Sequence, residues 1–289
     1  LDVNNVNINI KGISNRVKER LYINEFNLNK PQFVHVPKKS DKDRSNNEPS
    51  QLNDKIIIHK LNVIDANYVL KDKSGKTNQL TVQKFNLTLN NINVDDKTVK
   101  EKIPFTYENP KLTTGKIHYN TGENYDIYTN GIEISEHNAM VENLQMKPKH
   151  SRKVFNSKLK FGTDHYNITT GKLLFKNMDW GFDAKDVFFL KFREVVLNNI
   201  DASIYRNASI PNEIKVNKMY SQKLRELKIG LDVSVLKIVN SKLTYEEETD
   251  TSNAPGKLTF SNFNITARNI YSGQGRSSGP QTTIDVSTN

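Results

Sequence analysis

The chain has 289 residues and a formal net charge of +10, from 42 Lys and Arg against 32 Asp and Glu. Hydrophobic residues are 35% of it, low for a compact α/β enzyme yet too regularly spaced for a disordered chain. Cysteine is absent, which excludes a disulfide framework, a Cys-ligated metal and a cysteine nucleophile. No apolar run approaches the ~18 residues of a membrane-spanning helix. Asn occurs 38 times; it is a poor helix former that favours turns and strand ends, so a mainly β chain is expected.

Taken in order, the chain opens at Leu1-Asp2 without an initiator Met or a basic-then-apolar leader, and reads as a cut through a longer protein. Period-2 alternation then dominates. It runs through Val3, Val6, Ile8 and Ile10, then Leu21 and Ile23, Phe26 and Leu28. Residues 38–54 are polar without periodicity and are expected to form an exposed loop. Strands follow at 56–63 and 85–89, with a hairpin turn at Lys71–Lys76 and another at Thr121–Asn124. Ile127, Ile132, Ile134, Leu159, Phe161, Leu173, Phe175, Val187, Phe189, Val195 and Leu197 continue the series. Residues 217–229 are the one helix candidate: Met219, Tyr220, Leu224 and Leu227 share a side, Gly230 is placed to stop it, and it is expected to pack on a sheet end. Leu231 to Ile265 returns to strands, and Thr283–Val286 looks like a strand just starting. The pattern divides at 1–53, 54–150, 151–216 and 217–289.

An internal repeat carries most of the information. Leu61-Asn62-Val63-Ile64-Asp65-Ala66-Asn67-Tyr68-Val69-Leu70 lies over Leu236-Lys237-Ile238-Val239-Asn240-Ser241-Lys242-Leu243-Thr244-Tyr245. After a turn three residues longer in the second copy, Leu80, Val82, Phe85-Asn86-Leu87 and Asn91-Ile92 match Leu258, Phe260, Phe263-Asn264-Ile265 and Asn269-Ile270. In both copies the apolar parity flips at the same place, between 82 and 85 and between 260 and 263. One extra residue there is what a β-bulge inserts. A fainter third copy sits at Ile23, Phe26, Leu28 and Phe33, where chance similarity of Asn-rich strands competes as the explanation. Each unit has one apolar and one polar face. Such units either close into a sandwich or extend a curved sheet whose apolar face meets something else.

The stretches Leu236–Glu247 and Gly256–Phe263, with Ile200-Asp201-Ala202-Ser203-Ile204-Tyr205-Arg206 and Leu144-Gln145-Met146-Lys147-Pro148, resemble the AsmA-like family of Gram-negative envelope proteins, relatives of TamB. The resemblance runs from about residue 54 onward and rests on no catalytic motif. It implies a mainly β fold, an extended curved antiparallel sheet of repeated units forming an apolar groove. It further implies a periplasmic location and an inner-membrane anchor outside this sequence. The cargo would be phospholipid or another acyl lipid, carried between membranes or in outer-membrane assembly, with outer-membrane proteins as further partners. Leu61, Val63, Leu80, Val82, Phe85, Leu87, Leu89, Ile238, Leu258, Phe260, Phe263 and Ile265 are then the groove candidates. Lys147, Lys149, Arg152 and Lys153, the densest basic patch, are candidates for headgroup contact, against the plainer reading of a solvated loop.

No catalytic chemistry is legible. The six His, at 35, 59, 118, 137, 150 and 165, show no metal-ligand spacing, and no metal or cofactor is expected. Gly273-x-Gly275-x-x-x-Gly279 has the wrong spacing for a dinucleotide loop. Asp179, Asp183 and Asp186 around Trp180 read as turn residues with an aromatic anchor. Asn86, Asn167, Asn207 and Asn264 open Asn-x-Ser/Thr triplets that Asn abundance alone accounts for. The lysines are scattered and no RNA-binding aromatic motif accompanies them, so nucleic acid is not an expected partner. The alternative to the groove is a structural or adhesive β-sandwich. A carbohydrate-binding β-domain is weaker, since one Trp offers little stacking surface.

Overall fold

The computed structural model describes residues 2–4, 7–14, 20–37, 55–214, 218–251, 254–273 and 279–288. Its strands are β1 (Asp2–Asn4), β2 (Asn7–Ser14), β3 (Arg20–Asn29), β4 (Gln32–His35), β5 (Lys55–Lys71), β6 (Asn78–Val94), β7 (Thr106–Thr113), β8 (Ile117–Asn120), β9 (Tyr125–Thr129) and β10 (Gly131–Ser135). They continue with β11 (Asn138–Glu142), β12 (Gln145–Pro148), β13 (His165–Thr169), β14 (Lys172–Phe182), β15 (Phe188–Asn198), β16 (Asp201–Asn207), β17 (Gly230–Glu248), β18 (Gly256–Tyr271) and β19 (Thr283–Ser287). Two short helices, α1 (Arg152–Ser157) and α2 (Tyr220–Arg225), complete the elements. The chain is mainly β, as expected. The polar stretch at 38–54 lies outside the described residues, as does part of the Gly273–Gly279 run.

The strands form two compact units, residues 1–119 with 131–136, and residues 120–130 with 137–289. In the first, the β5–β6 hairpin is flanked by β3 and β4 on one side and by β7 and β8 on the other. In the second, the β17–β18 hairpin is flanked by β15 and β16 on one side and by β19 on the other. The sheet is mixed and not wholly antiparallel: β3 and β4 run parallel to β5, and β15 and β16 run parallel to β17. A parallel neighbour needs a long crossover. The two stretches without strand periodicity, 38–54 and 217–229, fall in the segments that lead into β5 and β17. The segment of the fainter third copy, Ile23 to Phe33, forms β3 and β4, which hold beside β5 the place that β15 and β16 hold beside β17.

The parity flips are bulges. On β6, Ala66↔Phe85 is followed by Tyr68↔Val82, so one residue is extra near Lys84; on β18, Ser241↔Phe263 is followed by Leu243↔Phe260, so one is extra near Asn262. A second bulge, not foreseen, faces each of them. Val63↔Leu87 passes to Ala66↔Phe85 with one extra residue near Asp65, and Ile238↔Ile265 passes to Ser241↔Phe263 with one near Asn240. The paired bulges cancel, so the register resumes unchanged beyond them. Asp65, Lys84, Asn240 and Asn262 all have φ between 48° and 51°, the left-handed region that Asn and Asp tolerate best among residues with a side chain.

The same level is broken on the neighbouring strands. Lys30, at φ 52°, separates β3 from β4, and Asn199, at φ 53°, separates β15 from β16. Lys30 N–H donates to Ile64 O at 2.7 Å and Asn199 N–H to Val239 O at 3.0 Å. Asn67 N–H donates to Pro31 O at 3.0 Å and Lys242 N–H to Ile200 O at 2.7 Å. Gly115 continues the line between β7 and β8, donating to Gln83 O at 2.8 Å. Asn143, at φ 52°, and Gly171 continue it between β11 and β12 and between β13 and β14. Within each unit the sheet therefore bends along one transverse line. One carboxamide per copy fixes it: Asn86 Oδ1 accepts from Asp65 N–H at 3.0 Å, and Asn264 Oδ1 accepts from Asn240 N–H at 3.0 Å. Their Nδ2 groups donate to Lys84 O at 3.4 Å and Asn262 O at 2.6 Å.

A left-handed backbone costs a β-branched residue roughly 1–2 kcal/mol, and glycine adopts it freely. Asn240→Gly should leave the urea midpoint close to wild type, whereas Asn240→Val should lower stability by about 1–2 kcal/mol. Equal midpoints for the two variants would contradict the bend.

Candidate functional site

The alternation within each strand places one apolar side chain opposite the next across the whole unit. In the second unit one row runs Val141–Leu173–Leu197–Ile238–Ile265–Val286, crossing β11, β14, β15, β17, β18 and β19. The row above it runs Ala139–Phe175–Val195–Leu236–Ala267–Ile284. Beyond the bend, Ile127–Met146–Ile168–Ala202–Leu243–Phe260 continues on the other arm. In the first unit the corresponding rows are Leu28–Val63–Leu87–Leu112–Ile134 and Ile10–Phe26–Leu61–Leu89 on one arm, and Phe33–Tyr68–Val82–Ile117 on the other. Such cross-strand apolar pairs are the unit of sheet stabilisation.

All twelve groove candidates lie on these faces, seven in the first unit and five in the second. Phe85 and Phe263 stand at the bend, Phe85 stacking with Phe33 at 6.0 Å and Phe263 meeting Phe260 at 6.1 Å. At the bend Ala66 is 0% exposed and Ser241 3%, and away from it Ile92, Leu173, Val195, Val233 and Ala267 are buried as well. Val63 and Leu89 are buried; Leu61, Leu80, Val82, Phe85, Leu87, Ile238, Phe260, Phe263 and Ile265 are half-buried. Leu258 is 53% exposed and Val286 58%. An interior between two sheets would bury this whole face, so the half-exposure marks a face with room against it.

Sequence reasoning marked Trp180 as an aromatic anchor but did not find the aromatic cluster around it at the end of this face. Asn177, at φ 50°, shifts the parity of β14 so that Met178, Trp180 and Phe182 continue the side begun by Leu173 and Phe175. Phe175 meets Phe192 at 5.4 Å and Trp180 meets Phe188 at 6.4 Å. The signal was present in the equivalent Asn91 and Asn269, at φ 49° and 57°.

The opposite face is polar. Lys176 and Lys237 each donate to Glu194 at 2.6 Å, holding its carboxyl down at about 2, first through the Lys176 bond and then the Lys237 bond. On the other arm α1 covers this polar side. Ser151 caps it through Val154 N–H, and its Phe155 packs edge-on to His165 at 5.0 Å. Arg152 lies over the Tyr205 ring at 4.4 Å and pairs with Glu246.

The basic patch is thus not a solvated loop, and its cations do not converge on one point. Lys147 donates to Asn167 Oδ1 at 3.2 Å, Lys149 binds Asn120 Oδ1 and Gly122 O and lies 3.5 Å from Asp126, Arg152 is held by Glu246 and Tyr205, and Lys153 is exposed. The helix candidate is real but shorter, Tyr220–Arg225, and its apolar stripe packs only in part: Leu224 is half-buried, whereas Met219, Tyr220 and Leu227 are exposed. Arg225 anchors it instead, stacking on Tyr271 at 4.4 Å and donating to its hydroxyl at 3.2 Å. A 660 Å³ depression nearby is lined by Phe161, Asp164, Arg206, Lys218, Tyr220 and Lys223 among others. Its charges are already engaged, Arg206 with Asp164 at 2.9 Å and Lys218 with Glu226 at 2.7 Å.

Among the described residues no group of three or more His, Asp or Glu could hold a metal ion. Asp183 closes a turn by accepting from Lys185 and Val187 N–H, and Asp179 lies 3.5 Å from Lys191. The four Asn of the Asn-x-Ser/Thr triplets all make internal bonds: Asn86 and Asn264 at the bulges, Asn167 with Lys147, and Asn207 with Ser209 N–H.

No family model, no curated protein and no solved structure matches this chain.

The ionised Glu194 contributes stability that is fully present above the ordinary carboxyl value of 4.5 and is lost as pH falls toward about 2. The group is near solvent, so the contribution is modest. Glu194→Gln should lower the urea midpoint at neutral pH, and the gap to wild type should close as pH falls from 4.5 to about 2. A gap independent of pH would contradict the triad.

Proposed function

We propose that the chain is a non-enzymatic segment of an AsmA-like periplasmic protein, shielding lipid acyl chains along the bent apolar faces of its sheet. In this reading the protein is tethered to the inner membrane by a segment outside the sequence. It serves lipid transport between membranes or outer-membrane assembly. The observation that carries the proposal is the set of unbroken apolar rows, up to six strands long, in which buried residues such as Leu173, Val195 and Ala267 alternate with half-exposed ones such as Leu61, Leu87, Ile238 and Ile265.

The physical case is one of transfer. A chain of ~16 methylenes moved out of water at ~0.8 kcal/mol each gains ~13 kcal/mol. Equivalent Val, Leu, Ile and Phe rungs repeat at the ~4.8 Å strand spacing, so no position traps the chain more than the next. The polar headgroup stays outside the trough. The structural or adhesive sandwich is the weaker reading, because a sandwich core would bury Leu61, Leu87, Ile238 and Ile265 instead of leaving them half-exposed.

Mass spectrometry of an organic extract of the purified chain should find bound phospholipid or fatty acid. Leu87→Asp and Ile265→Asp should each reduce that lipid several-fold while the β-sheet circular dichroism persists, since a carboxylate on an open face keeps its water. Global unfolding by either substitution, the outcome for a charge buried in a closed core, would count against the groove.

A further inference from the structure

The depression beside α2 lies where the apolar face of the second unit ends. Beyond the row Ile168–Ala202–Leu243–Phe260, the next residues on that side are Tyr166, Ile204, Tyr245 and Leu258, opposite one another across β13, β16, β17 and β18. One step further Arg206 stands opposite Glu247. Between Ala202 and Arg206 the face thus passes from aliphatic, through a row bearing tyrosines, to charge. There Arg206 donates through Nη1 to Asp164 Oδ1 at 2.9 Å and through Nη2 to Asn212 Oδ1, and the Tyr166 hydroxyl donates to Asp164 Oδ2 at 3.0 Å. Burial first, and then the Asp164 bond, push the Tyr166 hydroxyl up to about 12, so it stays a donor at neutral pH. Gly162 N–H donates to Pro211 O at 2.9 Å, and a Cβ on Gly162 would lie 2.9 Å from Ile210 O, so glycine admits the loop that presents Asn212.

Phe161 and Tyr220 also line the depression, 39% and 88% exposed. An ammonium stands over each ring, Lys160 at 5.3 Å and Lys223 at 5.4 Å. The charges balance: Arg206 pairs with Asp164, Lys218 with Glu226, and Glu213 lines the depression together with Lys223. A phosphate site would present cations that no carboxylate already holds. Fixed donors and acceptors without net charge, beside exposed rings, suit a neutral polyhydroxylated ligand instead. We propose that the depression binds a neutral saccharide, its hydroxyls bonded to Asp164, Arg206 and Asn212 and its C–H face laid on the Tyr220 ring. A guanidinium has five N–H donors and a carboxylate about four lone-pair sites, so the bonds within the Arg206–Asp164–Asn212 cluster leave capacity for those hydroxyls. The sugar comes from a free oligosaccharide or from the headgroup of a glycolipid. Only the second source rests on the acyl-chain reading, with the lipid tail lying on the adjoining Ile204 and Ala202.

The probes are maltose, cellobiose and N,N′-diacetylchitobiose, each titrated into the full chain and followed by saturation-transfer NMR. Saturable binding of at least one is expected. Tyr220→Ala, at a side chain that the fold does not bury, should weaken it about tenfold with the circular dichroism unchanged. Asp164→Asn, which removes an acceptor, should weaken it as well. The dodecyl glycoside of the sugar that binds, used below its micelle concentration, separates the two sources. Tighter binding than the free sugar supports a glycolipid. Equal binding supports a free oligosaccharide and counts against the acyl-chain reading alone. No sugar binding, or sugar binding that both folded variants leave unchanged, would overturn the site. Dodecyl glycoside binding that lauric acid matches and Tyr220→Ala leaves unchanged would overturn it while the acyl-chain reading stands. Binding of inorganic phosphate that Lys223→Ala abolishes, without any binding of sugar, would overturn it too, by making an anion the ligand.

Discussion

Asn86 and Asn264 each hold two main-chain groups that a bulge would otherwise leave without partners. The rest of the structure depends on that constraint. A sheet can bend sharply only if every strand breaks at the same level, and each break needs a backbone that most side chains resist. Among the described residues, eight of the twelve left-handed residues that are not glycine are Asn, whose short carboxamide fits that conformation and can bond to nearby main chain. Part of the abundance of Asn thus follows from a geometry repeated strand after strand.

Because opposing bulges cancel, the side chains return to the same face beyond the bend. Apolar residues on both arms therefore share one side of the sheet within each unit, while Lys176, Glu194 and Lys237 lie on the other side in the second unit. In the proposed reading, the apolar side is covered by an occupant that is long, flexible and apolar. Repetition, with no single rung distinguished from its neighbours, suits a ligand that slides better than one that docks.

Much of this was legible in the residues. Alternation identifies the strands, and the parity flips at 82–85 and 260–263 locate one bulge in each copy. The facing bulges were hidden because two consecutive apolar residues, Val63-Ile64 and Ile238-Val239, precede the extra residue in each copy and blur the parity change. The parallel joins were hidden because periodicity carries no direction. Helix α1 is a short capped helix among basic residues, too short to show an apolar stripe, and Phe155 and Arg152 commit it to the sheet. The stripe of α2 was misleading for the opposite reason: Met219 and Tyr220 follow helical spacing but face water, and a cation-over-ring contact at Arg225 does the anchoring.

The central claim is that the bent apolar face is open to an acyl chain. Photolabelling the full chain with a diazirine-bearing fatty acid, followed by peptide mapping in the mass spectrometer, tests it directly. The account predicts adducts along the rows through Leu61, Leu87, Ile238 and Ile265, on both arms of the bend. Adducts confined to the polar side around Lys176 and Glu194, or no adducts at all, would contradict it.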